Sequence, residues 1–348
     1  MANQNREHVT FHQILSALLD ESRPFPPVYL HRFSDLDPKH LSALKEVWEK
    51  VPVIRRRALL EDLEELAEVD TLVSFDGLAR YALNDSDAPV RMTAIRLLWE
   101  DEDRRLVPVF IRLLERDPDY QVRAGAATAL SLFVYLGELE EIPEETHQLV
   151  EDKLLLTVKS EDHPLVRRRA LEALGYSSRE EVADLLRENY ERSDTEWLAS
   201  ALYGMGRSAD DRWGPAVVKM FNHPESSVRE EAVRAAGELE LAAARDALMD
   251  LVGDEPDENV QMAAVWSLSQ IGGAEVRPLL EKMLDQAEDE TVAEIFEEAL
   301  ENLSFTEEMA EFEMFDFDLD EGGPSSGPDS GGEPKSEPKK RGSRKPKK

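Results

Sequence analysis

Cysteine is absent from all 348 residues, which excludes disulfides, thiolate nucleophiles and cysteine-held metals and fits a reducing compartment. Aromatic residues make up only 7% of the chain. No apolar run approaches the roughly 18–20 residues that cross a bilayer, so no membrane partner is expected. Basic residues are outnumbered, 41 against 74, for a formal charge of −33. Such a chain repels phosphate backbones unless its positive charge is segregated. Also missing are a phosphate-binding glycine loop, a serine nucleophile elbow, a kinase-like set and an HExxH motif. The residues Val9 to Leu19 are interrupted by Thr10, His12, Gln13 and Ser16; they read as an amphipathic helix and not as a secretory leader. The cytoplasm is the expected location.

What the sequence does contain is a repeated block: an acid, two spacers, an aliphatic anchor, often arginine, then alanine four places after the anchor. It is clearest at Asp162–Gly175 (DHPLVRRRALEALG) and recurs around Val90, Val122 and Val228, with weaker copies around Ile54, Trp197, Val260 and Val292. The anchors at 54, 90, 122, 166, 197, 228, 260 and 292 are separated by 36, 32, 44, 31, 31, 32 and 32 residues. The position four later is Ala58, Ala94, Ala126, Ala170, Ala201, Ala232 and Ala264, with Phe296 the exception. A small residue at a fixed helical position admits a neighbouring helix to about 8–10 Å. Between anchors lies a second amphipathic segment of helical period, and prolines such as Pro118, Pro164, Pro224 and Pro256 mark the loops. One helical hairpin cannot bury its apolar face alone, so neighbours must stack. The fold class is therefore all-α: an α-α superhelix of about eight hairpins.

The block D-x-x-V-R-x-x-A-x-x-A-L-G in 31–32-residue steps resembles the short bacterial HEAT-like repeats, among them those of phycobilin lyases. The resemblance covers residues 41–303. It implies that the Val-Arg-Ala helices form the convex side and that the second helices line a concave working face. That face would present Arg80, Tyr81, Arg112, Arg116, Trp213, Lys219, Phe221 and Arg277 to a protein or peptide partner. It also admits a lyase-like alternative, a chaperone presenting a tetrapyrrole to an acceptor protein. A di-iron hydroxylase branch of the family uses repeated His-Glu pairs; this sequence has no His-Glu dipeptide.

The chain divides into an N-terminal helical cap (1–40), the repeat array (41–303), an acidic-aromatic segment (304–321) and a linker with a basic end (322–348). In the cap, Phe11, Ile14, Leu15, Leu18 and Leu19 share one helical face, and the prolines of RPFPPVYL predict extended backbone. The 44-residue step holds about a dozen extra residues around an acidic stretch at 137–147, read as a longer surface turn or a recognition loop. Residues 305–321 carry eight acids, no base and four phenylalanines. Phe305–Phe312 would cap the last repeat, and Phe315 and Phe317 would dock a partner. The last 27 residues hold eight bases and three acids, net +5, which leaves −33 − 5 = −38 on residues 1–321. Lacking aliphatic and aromatic side chains, this tail is expected to be disordered. Three readings stand for it: polyanion or nucleic-acid tethering through Lys339, Lys340, Arg341, Arg344 and Lys345, folding back onto the acidic array, or solubilisation alone.

The acids three before the anchors read as helix caps, and the arginine one after the anchor as a helical pair or a ladder to the next repeat. Gly272-Gly273 reads as a helix stop. Of the seven histidines only His8 and His12 share a helical face, and no third ligand accompanies them. No catalytic residue, cofactor-binding residue or metal ligand is assigned, and the expected function is a non-catalytic scaffold or adaptor.

Overall fold

The computed structural model describes the backbone of residues 9–320 and the side chains of 9–306 and 308. Two helices, α1 (Phe11–Leu19) and α2 (Pro38–Trp48), precede eight stacked layers. The anchored helices are α3 (Val53–Val69), α5 (Ala88–Arg96), α7 (Tyr120–Glu138), α9 (Pro164–Ala173), α11 (Thr195–Arg207), α13 (Ser226–Glu238), α15 (Glu258–Ile271) and α17 (Glu290–Asp320). Between them run α4 (Asp76–Ala82), α6 (Val107–Arg116), α8 (Glu144–Val158), α10 (Glu180–Tyr190), α12 (Gly214–Lys219), α14 (Arg245–Asp254) and α16 (Val276–Gln286). No strand occurs among the described residues, so the chain is an all-α superhelix of hairpins.

Side-chain caps explain where six of the eight anchored helices start. Asp87, Asp119, Asp194, Asp257 and Asp289 accept backbone N–H groups of the first turn, which otherwise have no intrahelical partner. Glu225 makes no such bond. At α9 the cap is the Nδ1 of His163, which accepts from Leu165 N–H at 3.2 Å while the ring stacks on Tyr120. Helix α15 ends at Gly272 with φ 64°, a left-handed stop that suits glycine.

Burial bears out the repeat pattern from the second copy to the seventh; in the eighth the anchor Val292 is half-buried. Val90, Val122, Val166, Val228 and Val260 are fully buried, as are Ala94, Ala126, Ala170, Ala201, Ala232 and Ala264. The first copy is out by one residue. Ile54 is 79% exposed and Ala58 is exposed, whereas Arg56, Leu59 and Leu63 are buried. The true register places Arg55 at the anchor and Arg56 where Arg91 stands in the next repeat, and the alanine position is taken by Leu59.

The arginines after three of the anchors do form a ladder, to an acid at the start of the next turn. Arg91 donates two bonds to the buried Asp117 (2.8 and 2.7 Å) and one to the Asp85 carbonyl of its own turn. Arg123 repeats this with Asp162 and the Asp117 carbonyl, and Arg229 with Glu255 and the His223 carbonyl. Each guanidinium thus ties its own turn to the next one through a bidentate, charge-assisted pair.

The two layers are not equally spaced. Cα atoms of successive anchored helices from α3 to α17 approach within 8 Å all along the array, while among the second helices such approach is extensive only between α6 and α8. Small residues permit it. A Cβ placed on Gly206 would lie 2.9 Å from the Ala235 Cα, and Gly175 and Gly237 meet Gly204 and Ser267 in the same way one repeat earlier and later. The more closely spaced layer of a two-layer stack lies inside the bend. The anchored helices therefore form the inner face and the second helices the outer one, the reverse of what the resemblance implied.

Other departures have equally local causes. The extra residues of the 44-residue step lengthen α7 to 19 residues and α8 to 15, leaving only 139–143 as a turn. Pro27–Phe33 winds into a 3-10 helix in place of extended chain, burying Phe33 edge-on to Phe11 at 6.0 Å. In α17, Phe296, Ala299 and Leu303 are buried, but Phe305 is 64% exposed and does not cover the last repeat. Among the described residues no helix is long and apolar enough to cross a membrane.

Candidate functional site

With the anchored layer inside, the residues nominated on the second helices sit on the outer layer, and two are not accessible at all. Trp213 is 6% and Phe221 3% exposed. Their rings fill the hairpin core, and Trp213 is covered by the guanidinium groups of Arg187 and Arg212 at 5.7 and 5.4 Å. Arg80 is held by Asp101 and Asp103. Tyr81 is half-buried beneath Lys45 Nζ at 5.1 Å and edge-on to Trp48. Arg112 is exposed and donates to Asn84 at 3.0 Å; Arg116 and Lys219 are exposed, and Arg277 is half-buried against Ser304. The side chains of Phe315 and Phe317 and the five tail residues from Lys339 to Lys345 lie outside the described residues.

The inner face carries half-exposed aromatics in line with an arginine. Tyr135 at the end of α7 packs on Tyr176 at 5.0 Å between centroids. Arg207 of α11 lies over both Tyr176 (5.2 Å) and Tyr203 (4.5 Å) and donates to the Tyr176 hydroxyl. Burial raises both tyrosine hydroxyls above their ordinary pKa. Beyond them a groove of about 290 Å³ is walled by Tyr203, Arg207, Glu231, Arg234, Glu238 and Trp266 from α11, α13 and α15. A second depression of about 420 Å³ lies on the same layer across α3, α5 and α7, around Met92, Arg96 and Gly125.

Glu231 is the perturbed group of this groove. Burial, reinforced by the carboxylate of Glu172, pushes its carboxyl up to about 7, against the pull of Arg234 and Arg169. Between 4.5 and about 7 the folded protein holds this proton and the unfolded chain does not. Stability therefore falls as pH rises through that window and is indifferent to Glu231 outside it. Glu231→Gln should remove the slope, so that the melting temperature of the variant exceeds the wild type's increasingly from pH 5 to 7.5. Parallel curves across that range would show that Glu231 titrates normally.

A third recess, of about 550 Å³, opens where α7 ends, lined by Glu138, His147, Glu151 and Arg179 among others. In the sequence His147 stands apart from Glu138 and Glu151, which meet it only through the turn at 139–143 and one helical repeat.

These features define a class, the helical-repeat solenoid. The HEAT repeats profile matches residues 75–151 and 214–301, and the chain is a HEAT-like repeat protein. No curated protein matches it. Among solved structures, YibA from E. coli aligns at 15% identity over 82% of this chain and 99% of its own, with a TM-score of 0.41. The CpcE–CpcF complex of phycocyanin lyase from Nostoc sp. aligns at 17% over 87% and 98%, TM-score 0.48. Human deoxyhypusine hydroxylase aligns at 18% over 75% and 95%, TM-score 0.33. At TM-scores below 0.5 these likenesses bring no further architecture or activity to the chain.

Proposed function

We propose that the chain is a non-catalytic scaffold that holds a protein or peptide segment of basic character along its inner face. The observation that carries this reading is the line Tyr135–Tyr176–Arg207–Tyr203 running into the groove of Glu231 and Trp266. Exposed tyrosine, tryptophan and arginine in a concave surface are the side chains that dominate binding energy at protein interfaces. The surrounding array carries −38 on residues 1–321, so a cationic occupant is drawn to it and relieves its self-repulsion. The same charge disfavours nucleic acid on the array itself, and a cytoplasmic location fits the absence of cysteine.

The test is affinity capture from the source cells with wild type, a Tyr203→Ala/Arg207→Ala double variant, and Arg116→Ala on the outer layer. A partner recovered by wild type should fall at least tenfold with the double variant, about 1.4 kcal/mol or more, and be unchanged with Arg116→Ala. Equal recovery by all three would sink the inner-face reading. Capture should also strengthen as pH rises through 7, when Glu231 becomes negative beside a cationic occupant.

A further inference from the structure

The recess at the end of α7 shares no lining residue with the inner groove and holds a different chemistry. Glu138 closes α7, while His147 and Glu151 are i and i+4 on α8 and so share one face. Their ligand atoms all lie within 4.8 Å of one another. His147 Nε2 is 3.8 Å from Glu138 Oε1 and 3.6 Å from Glu151 Oε1. It is buried and hydrogen-bonds to nothing, although two carboxylates face it. A simple ion pair would have closed on one of them, to about 2.7–2.9 Å. An equidistant, unbonded nitrogen between two acids is instead the spacing of ligands around an ion. Bonds of 2.0–2.2 Å in a tetrahedral site put ligand atoms about 3.3–3.6 Å apart, which the two His147 separations already approach, while the pair of carboxylates, within 4.8 Å of each other, has to close on the ion.

The surroundings are built for the arrangement. The imidazole lies against the backbone of Gly137, where any Cβ would overlap it. Ser178 N–H donates to Glu138 Oε1 at 2.8 Å, and the buried Ser177 hydroxyl donates to Glu151. Such outer bonds orient carboxylate ligands. Arg179, the cation beside the recess, is turned to Asp152 (2.7 Å) and Glu181 (2.5 Å) and stands 3.7 Å from Glu151.

We propose that Glu138, His147 and Glu151 bind a divalent first-row transition ion. An imidazole with two carboxylates selects Zn²⁺ or Mn²⁺ over Mg²⁺ and Ca²⁺, which prefer oxygen alone. The ion joins the end of α7 to the start of α8 and so clips the extra turns of the third hairpin.

The experiment uses the full chain, freed of metal by chelation and titrated calorimetrically with Zn²⁺, Mn²⁺ and Mg²⁺, with Co²⁺ visible absorption as a report on nitrogen ligation. One tight Zn²⁺ or Mn²⁺ per chain is expected, with a rise in melting temperature. Glu138→Gln and His147→Gln should each weaken it at least tenfold, and His147→Gln should shift the Co²⁺ bands. Glu140→Gln, which lines the recess without joining the cluster, should change affinity less than twofold. Should His147→Gln fail to fold, Glu138→Gln decides alone, because its amide oxygen still accepts from Ser178. Affinity unaltered by Glu138→Gln, or no saturable binding to the wild type, overturns the proposal.

Discussion

Asp85→Ala should destabilise the N-terminal half of the array by about 3–5 kcal/mol, the usual cost of stripping one partner from a buried ion pair. The Asp85 side chain is wholly buried. It accepts from Trp48 Nε1 at 2.6 Å, lies 3.2 Å from Arg56, whose side chain is only 4% exposed, and caps the N–H of Asp87. Removing it leaves a guanidinium and an indole N–H without a partner in the hairpin core; Glu49, at 3.8 Å and largely exposed, recovers little of the loss. Asp85→Asn, which keeps an acceptor for Trp48 and loses the charge, should fall between. Repeat arrays unfold by neighbouring units. Hydrogen exchange is therefore the sharper readout: protection should collapse in α2–α5 and persist in α13–α15. A loss below 1 kcal/mol would mean that Arg56 finds water or another acid at little cost.

Gly206→Val should cost about 1–3 kcal/mol, although valine is the better helix former. The obstacle is backbone: the new Cβ meets the Ala235 Cα at 2.9 Å and its Cβ at 3.1 Å, and neither can rotate away. Helices α11 and α13 must separate on the inner side, so scattering should also register a straighter, longer particle. The control is Gly253→Ala in α14, where a Cβ meets nothing within 4 Å. There alanine should stabilise by about 0.5–1 kcal/mol. If both substitutions stabilise, the inner layer is not close-packed and the assignment of the faces fails with it.

The repeat was legible because its causes are local. A capping aspartate three residues before a valine, with alanine four after, is a statement about one helix, and Asp119, Val122 and Ala126 satisfy it without reference to anything else. What was not legible depends on a neighbouring repeat. Ile54 and Ala58 mimic the block, and only the position of Asp85 across the hairpin makes Arg56 the equivalent of Arg91. Asp117 and Glu255 look like loop acids until the arginine of the previous repeat reaches them. Which layer is inside is a difference between two helix spacings, and no single repeat contains it. Trp213 and Phe221 were nominated for their ring size, the very property that drew them into the core. The Glu138–His147–Glu151 cluster needs α7, at 19 residues, to run well past the 13 of α11 and α13, a length the acidic composition of 137–147 argued against.

The arginine ladder breaks off after Arg123 and resumes only at Arg229, and the gap has a mechanical meaning. Between α9 and α11 the place of the bidentate pair is taken by Arg167 and Arg192, stacked on Trp197 at 5.3 and 4.4 Å. A guanidinium clasped by two carboxylate oxygens fixes both distance and rotation, whereas a cation over a ring tolerates sliding and tilt. Gly175 and Gly204 still touch on the inner side of that step. The layers at that step are also held by single bonds, Arg168 to Glu196 at 3.0 Å and Ser200 to Glu172 at 2.6 Å, each of which fixes a distance but leaves rotation freer than a bidentate clasp, so torsion meets less resistance there than across the Arg123–Asp162 pair.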